Sequence, residues 1–289
     1  MIKTILVPAT GSDEDGAGFA AAVAVARVFA AHVDFLHVRT DPAEIAAAMS
    51  ADIAGPVVIG KLVDELEREA ERREERALLQ FRHFCDTEAI AIGGDPGAHP
   101  GVSGEWHRET GRESSWMIEY ARGRDLLVIA RLVPLGIHDT LEASLLDSGR
   151  PVLIPPSKAP SSPAEGFGTI AIAWKSTREA TRAVAAALPF LVLAKKVVVL
   201  TVEEDGADEW ESAQRLSRGL KWHGIDAALE RLNPGPEGTA GTLLAACGRI
   251  GADLLVMGGY GHSRLREMVF GGATATVLQR ALLPVLMAH

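Results

Sequence analysis

The chain contains little cysteine: Cys85 and Cys247 are the two in 289 residues, far apart and outside any CxxC or Cys/His cluster. That argues against a disulfide framework and against a zinc site. Both read as reduced, partly buried thiols of a cytosolic protein. Positive charge is also scarce. Against 29 Lys and Arg stand 38 Asp and Glu, a formal net charge of −9. A chain that binds nucleic acid in general needs a positive footprint, and one that docks on an anionic membrane needs the same. No apolar run approaches the roughly 18 residues of a membrane span. The opening Met1-Ile2-Lys3-Thr4-Ile5-Leu6-Val7-Pro8 is too short in apolar residues for a signal peptide and leads directly into a strand. A cytoplasmic chain is the expectation. Walker A, HExxH and Gly-x-Ser-x-Gly sequences are missing, and no carboxylate pair has the spacing of a glycosidase.

What is present is a repeat. Thr4-Ile5-Leu6-Val7-Pro8 and Thr169-Ile170-Ala171-Ile172-Ala173 are short β-branched runs at an offset of 165 residues. Each runs into a small polar turn, Thr10-Gly11-Ser12 or Lys175-Ser176-Thr177, and then an alanine-rich helix, about 14–31 or 178–194. Second strands follow at 33–38 and 197–202. Asp125-Leu126-Leu127-Val128-Ile129 mirrors Asp253-Leu254-Leu255-Val256-Met257, and Pro151-Val152-Leu153-Ile154 mirrors Pro284-Val285-Leu286-Met287. Near-continuous apolar strands alternating with helices predict α/β architecture with parallel, doubly wound sheets. The Pro- and Ser-rich stretch between the halves reads as a linker. The expected division is a first domain over 1–156, a linker over 157–166 and a second domain over 167–289. A charged helix over about 61–86 interrupts the first half; its mixed signs at i,i+4 spacing predict a solvated face with self-paired charges.

The second half carries the chemistry. After the strand ending at Met257 come Gly258-Gly259-Tyr260-Gly261, nine residues, and Gly271-Gly272-Ala273-Thr274. A helix is expected from about Thr274 to Leu282. Glycines let a backbone approach a ligand closely. The N–H groups at a helix N-terminus lack intrahelical partners and face the positive end of the dipole. Strand, glycine loop and helix together point to a phosphate, and so to a nucleotide. Gly16-Ala17-Gly18-Phe19-Ala20-Ala21 formally fits a dinucleotide fingerprint, but its glycines fall inside a helix and follow Asp13, Glu14 and Asp15, so helix packing is the reading taken. Glu105, Trp106, His107 and Arg108 read as an edge strand.

On these residues the chain resembles a tandem universal stress protein, two such domains in one chain. The resemblance covers nearly the whole length and rests above all on Gly258, Gly261 and Gly271, which match the family's Gly-x2-Gly-x9-Gly-Ser/Thr spacing. It implies two tandem, mostly parallel five-stranded sheets flanked by helices, of the adenine nucleotide alpha-hydrolase-like kind. It also implies adenine-nucleotide binding in one subgroup and pairing of domains through the last strand. Gly258, Gly261, Gly271, Gly272, Ala273 and Thr274 would then hold the phosphates. Ala173, Lys175 and Val202 would line the base and ribose side. The cofactor would be ATP or another adenine nucleotide, with Mg2+ as its accompanying ion.

Two departures stand out. Gly272 replaces the Ser or Thr of the motif, with Thr274 two residues on, and Lys175 replaces an Asp that lies near the ribose. Lys175 is placed either to meet a phosphate or to lie in solvent. The first half has no Gly-x2-Gly after Ile129 and has Thr10 at the Asp position, so no nucleotide is expected there. The expected partners are a small phosphorylated ligand, the other half of the same chain and a second copy of it, with no nucleic acid and no membrane. The main reading is a stress-response binding module without catalytic residues. A slow ATP hydrolase and a structural interaction protein with an empty crevice are the alternatives.

Overall fold

The computed structural model describes residues 1–42, 56–95, 100–130, 139–156, 167–203, 209–259 and 272–289. The proposed linker, Gly261 and Gly271 lie outside them. In the first half the elements are β1 (Thr4–Pro8), α1 (Asp15–Phe29), β2 (His32–Arg39), α2 (Pro56–Thr87), β3 (Ala91–Ile92), β4 (Ser103–Thr110), α3 (Glu113–Ala121), β5 (Leu126–Val128), α4 (Asp139–Asp147) and β6 (Val152–Ile154). In the second they are β7 (Thr169–Ala173), α5 (Arg178–Leu191), β8 (Lys196–Val202), α6 (Trp210–Lys221), β9 (Ala227–Leu232), α7 (Gly238–Ile250), β10 (Leu254–Gly258), α8 (Gly272–Arg280) and β11 (Val285–Ala288).

The strands form one sheet of 11, in the order β3-β4-β2-β1-β5-β6-β11-β10-β7-β8-β9. Each half is doubly wound and parallel; β3, two residues long, adds a sixth strand to the first half. The halves join where β6 and β11 run antiparallel, Ile154 opposite Val285, Leu153 opposite Leu286 and Val152 opposite Met287. This is the expected pairing of last strands, made within the chain. Short apolar strands would otherwise be exposed edges open to other chains. With both terminal strands spent on each other, a homodimer has to use a different surface.

The repeat is visible in its hydrogen bonds. Asp125 precedes β5 and its Oδ2 accepts from the Thr4 amide at 3.1 Å. Asp253 precedes β10 and its Oδ2 accepts from the Thr169 amide at 2.7 Å. The backbone N–H of each aspartate donates to the carbonyl of the same threonine. Each Asp-Leu-Leu-Val run therefore begins with a carboxylate that locks it in register beside the first strand of its half.

The continuous sheet has one apolar layer on each face. On one face Phe19 and Phe29 of α1, Phe81 of α2, Ala183 and Phe190 of α5 and Leu220 of α6 pack on Ile5, Val33, Ile170 and Leu286. Phe190 bridges the halves, with ring centroids 5.3 Å from Phe29 and 5.2 Å from Phe167. The other face carries Met117, Leu141, Leu145, Leu243, Val277 and Leu278 over Leu6, Leu127, Leu255 and Met287. Side chains alternate along every strand, so Leu6 and Ile5 serve opposite layers.

Charge on α2 is only partly self-paired. Glu69 meets Arg72 and Arg76 on the helix, whereas Glu67 and Glu71 reach Arg39 on β2, and Glu74 reaches Arg108 on β4. α2 packs its apolar stripe on β2 and β4, and its acidic residues are drawn to the arginines at that margin. Exposed pairs of this kind contribute about 0–1 kcal/mol each.

Candidate functional site

In a doubly wound sheet the strand ends and helix starts gather on one side, and ligands bind in the crevice outside the carboxyl ends. In the second half that crevice has a volume of about 200 Å3. Its floor is apolar, formed by Ala173 at the end of β7, Leu200 and Val202 on β8, Met257 on β10 and Leu243 on α7. Around the rim stand Lys175, Thr177, Glu209, Thr239 and Thr274. An apolar floor with a few polar groups at its edge suits a flat aromatic base with a polar appendage.

Three helices present their N-termini to this space. Thr177, Glu179 and Ala180 come from the start of α5, Thr239 from the first turn of α7, and Ala273 and Thr274 from the first turn of α8. Thr177 caps α5, its hydroxyl accepting from the Ala180 amide at 3.2 Å. The first turn of α8 holds no acidic residue, so its positive end is not neutralised by its own side chains. Converging helix starts create a region that favours an anion.

Carboxylates are present too. Glu209, which precedes α6, accepts from the Ser176 amide at 2.8 Å and lies 2.9 Å from the Ser212 hydroxyl, which in turn accepts from Trp174 Nε1 at 2.9 Å. Trp174 is thus tethered through its indole N–H and closes the sheet end. Glu179 is buried at the start of α5. Burial opposes its charge, but hydrogen bonds from its own amide and from Arg178 outweigh that and hold its carboxyl below the usual range. It is ionised and paired with Arg178 at 2.9 Å.

Gly258 proves to have a packing role. A Cβ there would lie 2.5 Å from the Ala180 amide nitrogen and 2.8 Å from the Glu179 carbonyl carbon. The end of β10 therefore touches the backbone at the start of α5, and only glycine allows that approach.

The first half keeps a hollow of about 310 Å3 at the corresponding place, lined by Thr10, Ser12, Asp15, Gly18, Glu113 and Ala130 among others. Its turn is already engaged. The Asp15 carboxylate, 5% exposed, accepts from the Gly11 amide at 2.7 Å and from Thr10 Oγ1 at 2.8 Å. Donors that could hold a phosphate are thereby satisfied from within, and burial raises the pKa of this carboxyl above its usual value. Gly16 and Gly18 sit within α1, where a Cβ on Gly18 would meet Val7 and Ala130 at 3.5 Å, ordinary helix–sheet packing.

Of the residues singled out in the sequence, Ala173, Lys175, Val202, Gly258, Ala273 and Thr274 surround the second crevice. Gly272 opens α8 but is not part of the lining. Gly261 and Gly271, with the charged residues between them, are outside the described residues. Sequence reasoning missed Glu179, Glu209, Thr239 and Leu243. Glu209 and Thr239 carry no motif; the register of the sheet and the helix starts bring them in.

The fold matches solved proteins along its whole length. The crystal structure of a universal stress protein from Archaeoglobus fulgidus superimposes over 99% of this chain and 97% of its own, with a TM-score of 0.67 and 16% identity. A putative universal stress protein from Pseudomonas aeruginosa covers 99% of this chain and 92% of its own, with a TM-score of 0.55 and 15% identity. At such identities the likeness establishes the fold. Among curated proteins, a universal stress protein from Synechocystis, Slr1230, is 56% identical over 34 residues, 12% of this chain and 12% of that protein. The match thus spans about one eighth of that relative's length. No protein-family model matches the chain.

Proposed function

We propose that the second half binds an adenine nucleotide, or a related phosphorylated ligand, and that the chain acts as a universal stress protein-type binding module of the stress response. The observation that carries this is the convergence of the starts of α5, α7 and α8 on a crevice floored by Leu200, Val202, Leu243 and Met257. The base would lie on that floor. Ala273 and Thr274 would face the phosphates with main-chain amides and one hydroxyl, and Lys175 would add a positive charge at the mouth. Glu209, just before α6, would supply the carboxylate for the ribose hydroxyls that the turn after β7 lacks. The first half would act as the structural partner, because Asp15 already fills the anion-binding turn.

Calorimetric titration of the full chain with AMP, ADP and ATP, with and without Mg2+, tests this reading. The expected result is saturable binding that Ala173→Leu, which fills the floor, weakens at least tenfold. Lys175→Glu should weaken nucleotides several-fold and more than it weakens adenosine, since it reverses the charge met by phosphate. No binding at millimolar nucleotide would overturn the proposal.

A further inference from the structure

We propose that His32, Asp34, Glu105 and His107, on the adjacent strands β2 and β4, form a binding site for a divalent transition-metal ion of the zinc class. The sheet register brings them together. Parallel pairing sets His32 beside Ser103, Asp34 beside Glu105 and Leu36 beside His107. Alternate residues share a face, so all four side chains stand on one side of two adjacent strands. His107 Nε2 lies 2.7 Å from Asp34 Oδ1 and 3.7 Å from Glu105 Oε2, and His32 Nε2 lies 3.8 Å and 4.0 Å from the same two oxygens. His32, Asp34 and Glu105 each bring one ligand atom within 4.8 Å of the other two, close enough for a shared ion about 2.0–2.2 Å from each, and His107 adjoins them through Asp34.

The surroundings fit a ligand set. His32 Nδ1 lies 2.8 Å from Ser103 Oγ. With the proton on Nδ1 the hydroxyl accepts it, and the Nε2 lone pair is left facing the carboxylates, the arrangement that orients metal-bound histidines. Asp34 is buried and accepts from Arg124 through both oxygens, so its orientation is fixed from behind. Glu105 is held inward over Gly94, where a Cβ would overlap its carboxylate. His32 and His107 are each 21% exposed and Glu105 41% exposed, leaving a path from solvent. Two carboxylates against one Arg124 guanidinium leave the cluster net negative when both imidazoles are neutral. On binding, the metal replaces the proton that His107 Nε2 shares with Asp34, and the ring carries its proton on Nδ1.

The repeat supplies an internal comparison. In the second half the strand pairs equivalent to Leu6–Asp34 and Asp34–Glu105 are Ala171–Val198 and Val198–Ala228. The fold therefore has no need of carboxylates here. Burying an aspartate where the other repeat has valine is costly without partners. The cluster lies in the first half and shares no residue with the proposed nucleotide crevice of the second, so it stands or falls independently of that reading. It uses no cysteine, and its first and last residues are 75 apart in sequence, which is why cysteine spacing does not reveal it.

The test is calorimetric titration of the tag-free, chelator-stripped full chain with ZnCl2, with MgCl2 alongside. One zinc per chain is expected, with no magnesium binding, because magnesium favours all-oxygen octahedral sites. His32→Ala and Glu105→Gln, both at partly exposed positions, should each lower zinc affinity at least tenfold with an unchanged circular dichroism spectrum. Ser103→Ala should lower it about tenfold through the orientation of His32. Co2+ should give the intense visible absorption of a tetrahedral site in the wild type and not in the variant carrying both His32→Ala and Glu105→Gln. Absence of saturable zinc binding, or binding undiminished in both single variants, would overturn the proposal.

Discussion

Replacing Gly258 with alanine separates two reasons for a glycine at the end of a strand. If the residue were there solely to let a phosphate approach, a methyl group would leave the ligand-free protein intact. The structure instead puts that methyl 2.5 Å from the Ala180 amide nitrogen, 2.8 Å from the Glu179 carbonyl carbon and 3.0 Å from Glu179 Cβ. Two of these neighbours are backbone at the capped start of α5, which Thr177 and the sheet hold in place, so neither can swing aside. Overpacking of a fixed site costs about 1–3 kcal/mol. For a unit the size of one half, a loss of that size lowers Tm by roughly 3–10 °C. Thermal unfolding of wild type and Gly258→Ala without nucleotide measures it. An unchanged Tm would refute the packing argument, and an unchanged Tm with lost nucleotide binding would show that the glycine serves the ligand alone.

Acid should destabilise the protein over two ranges. Burial lowers the pKa of His37 and His32 below their usual value, so the unfolded chain protonates first and stability falls as pH drops below about 6.5. Asp34 behaves as a paired carboxylate. Burial alone would raise its pKa, but hydrogen bonds from His107 and Arg124 and the Arg124 charge lower it. Its contribution is present above the unfolded value of about 3.9 and is lost as pH falls through its folded pKa. Urea unfolding at stepped pH from 7.5 to 4.5 checks the histidine range, and stability that rises on acidification would contradict it. Asp34→Ala should cost about 1.5–3 kcal/mol, the loss expected when charged hydrogen bonds are removed and the partners left behind, Arg124 and His107, are part-exposed, measured by the same assay at pH 7. The thiols of Cys85 and Cys247 are buried, with pKa values pushed up to about 11. Neither should react with a thiol reagent at neutral pH until denaturant is added; a rapid stoichiometric reaction in the native protein would contradict their burial.

The architecture was legible because it is written twice. The two Thr-initiated strands, the two Asp-Leu-Leu-Val runs and the two terminal Pro-Val-Leu strands each report a local pattern, apolar and β-branched, that needs no knowledge of distant residues. The pairing of β6 with β11 was legible in part: both are short apolar strands that would otherwise be edges, but their pattern fits a partner in the same chain and a partner in a second copy equally. β3 was not, because two residues, Ala91 and Ile92, carry no periodicity. At the crevice, residues adjacent to the strand ends and the glycine motif could be named, whereas Glu209 and Thr239 belong to helix starts set by the packing of α6 and α7. The reason for Gly258 also stayed hidden. A glycine beside a phosphate and a glycine beneath a helix look alike in sequence, and only the distance to Ala180 distinguishes them. His32, Asp34, Glu105 and His107 come together through a register offset of 71 residues between β2 and β4, which no linear spacing announces.

The most direct test of the central claim is a crystal structure of the full chain grown with ADP. Density is expected for the base over Leu200, Val202 and Leu243 and for the phosphates at the amides of Ala273 and Thr274, with the hollow around Asp15 free of nucleotide. Nucleotide seated at the Asp15 turn, or a second-half crevice that remains empty at saturating ADP, would contradict it.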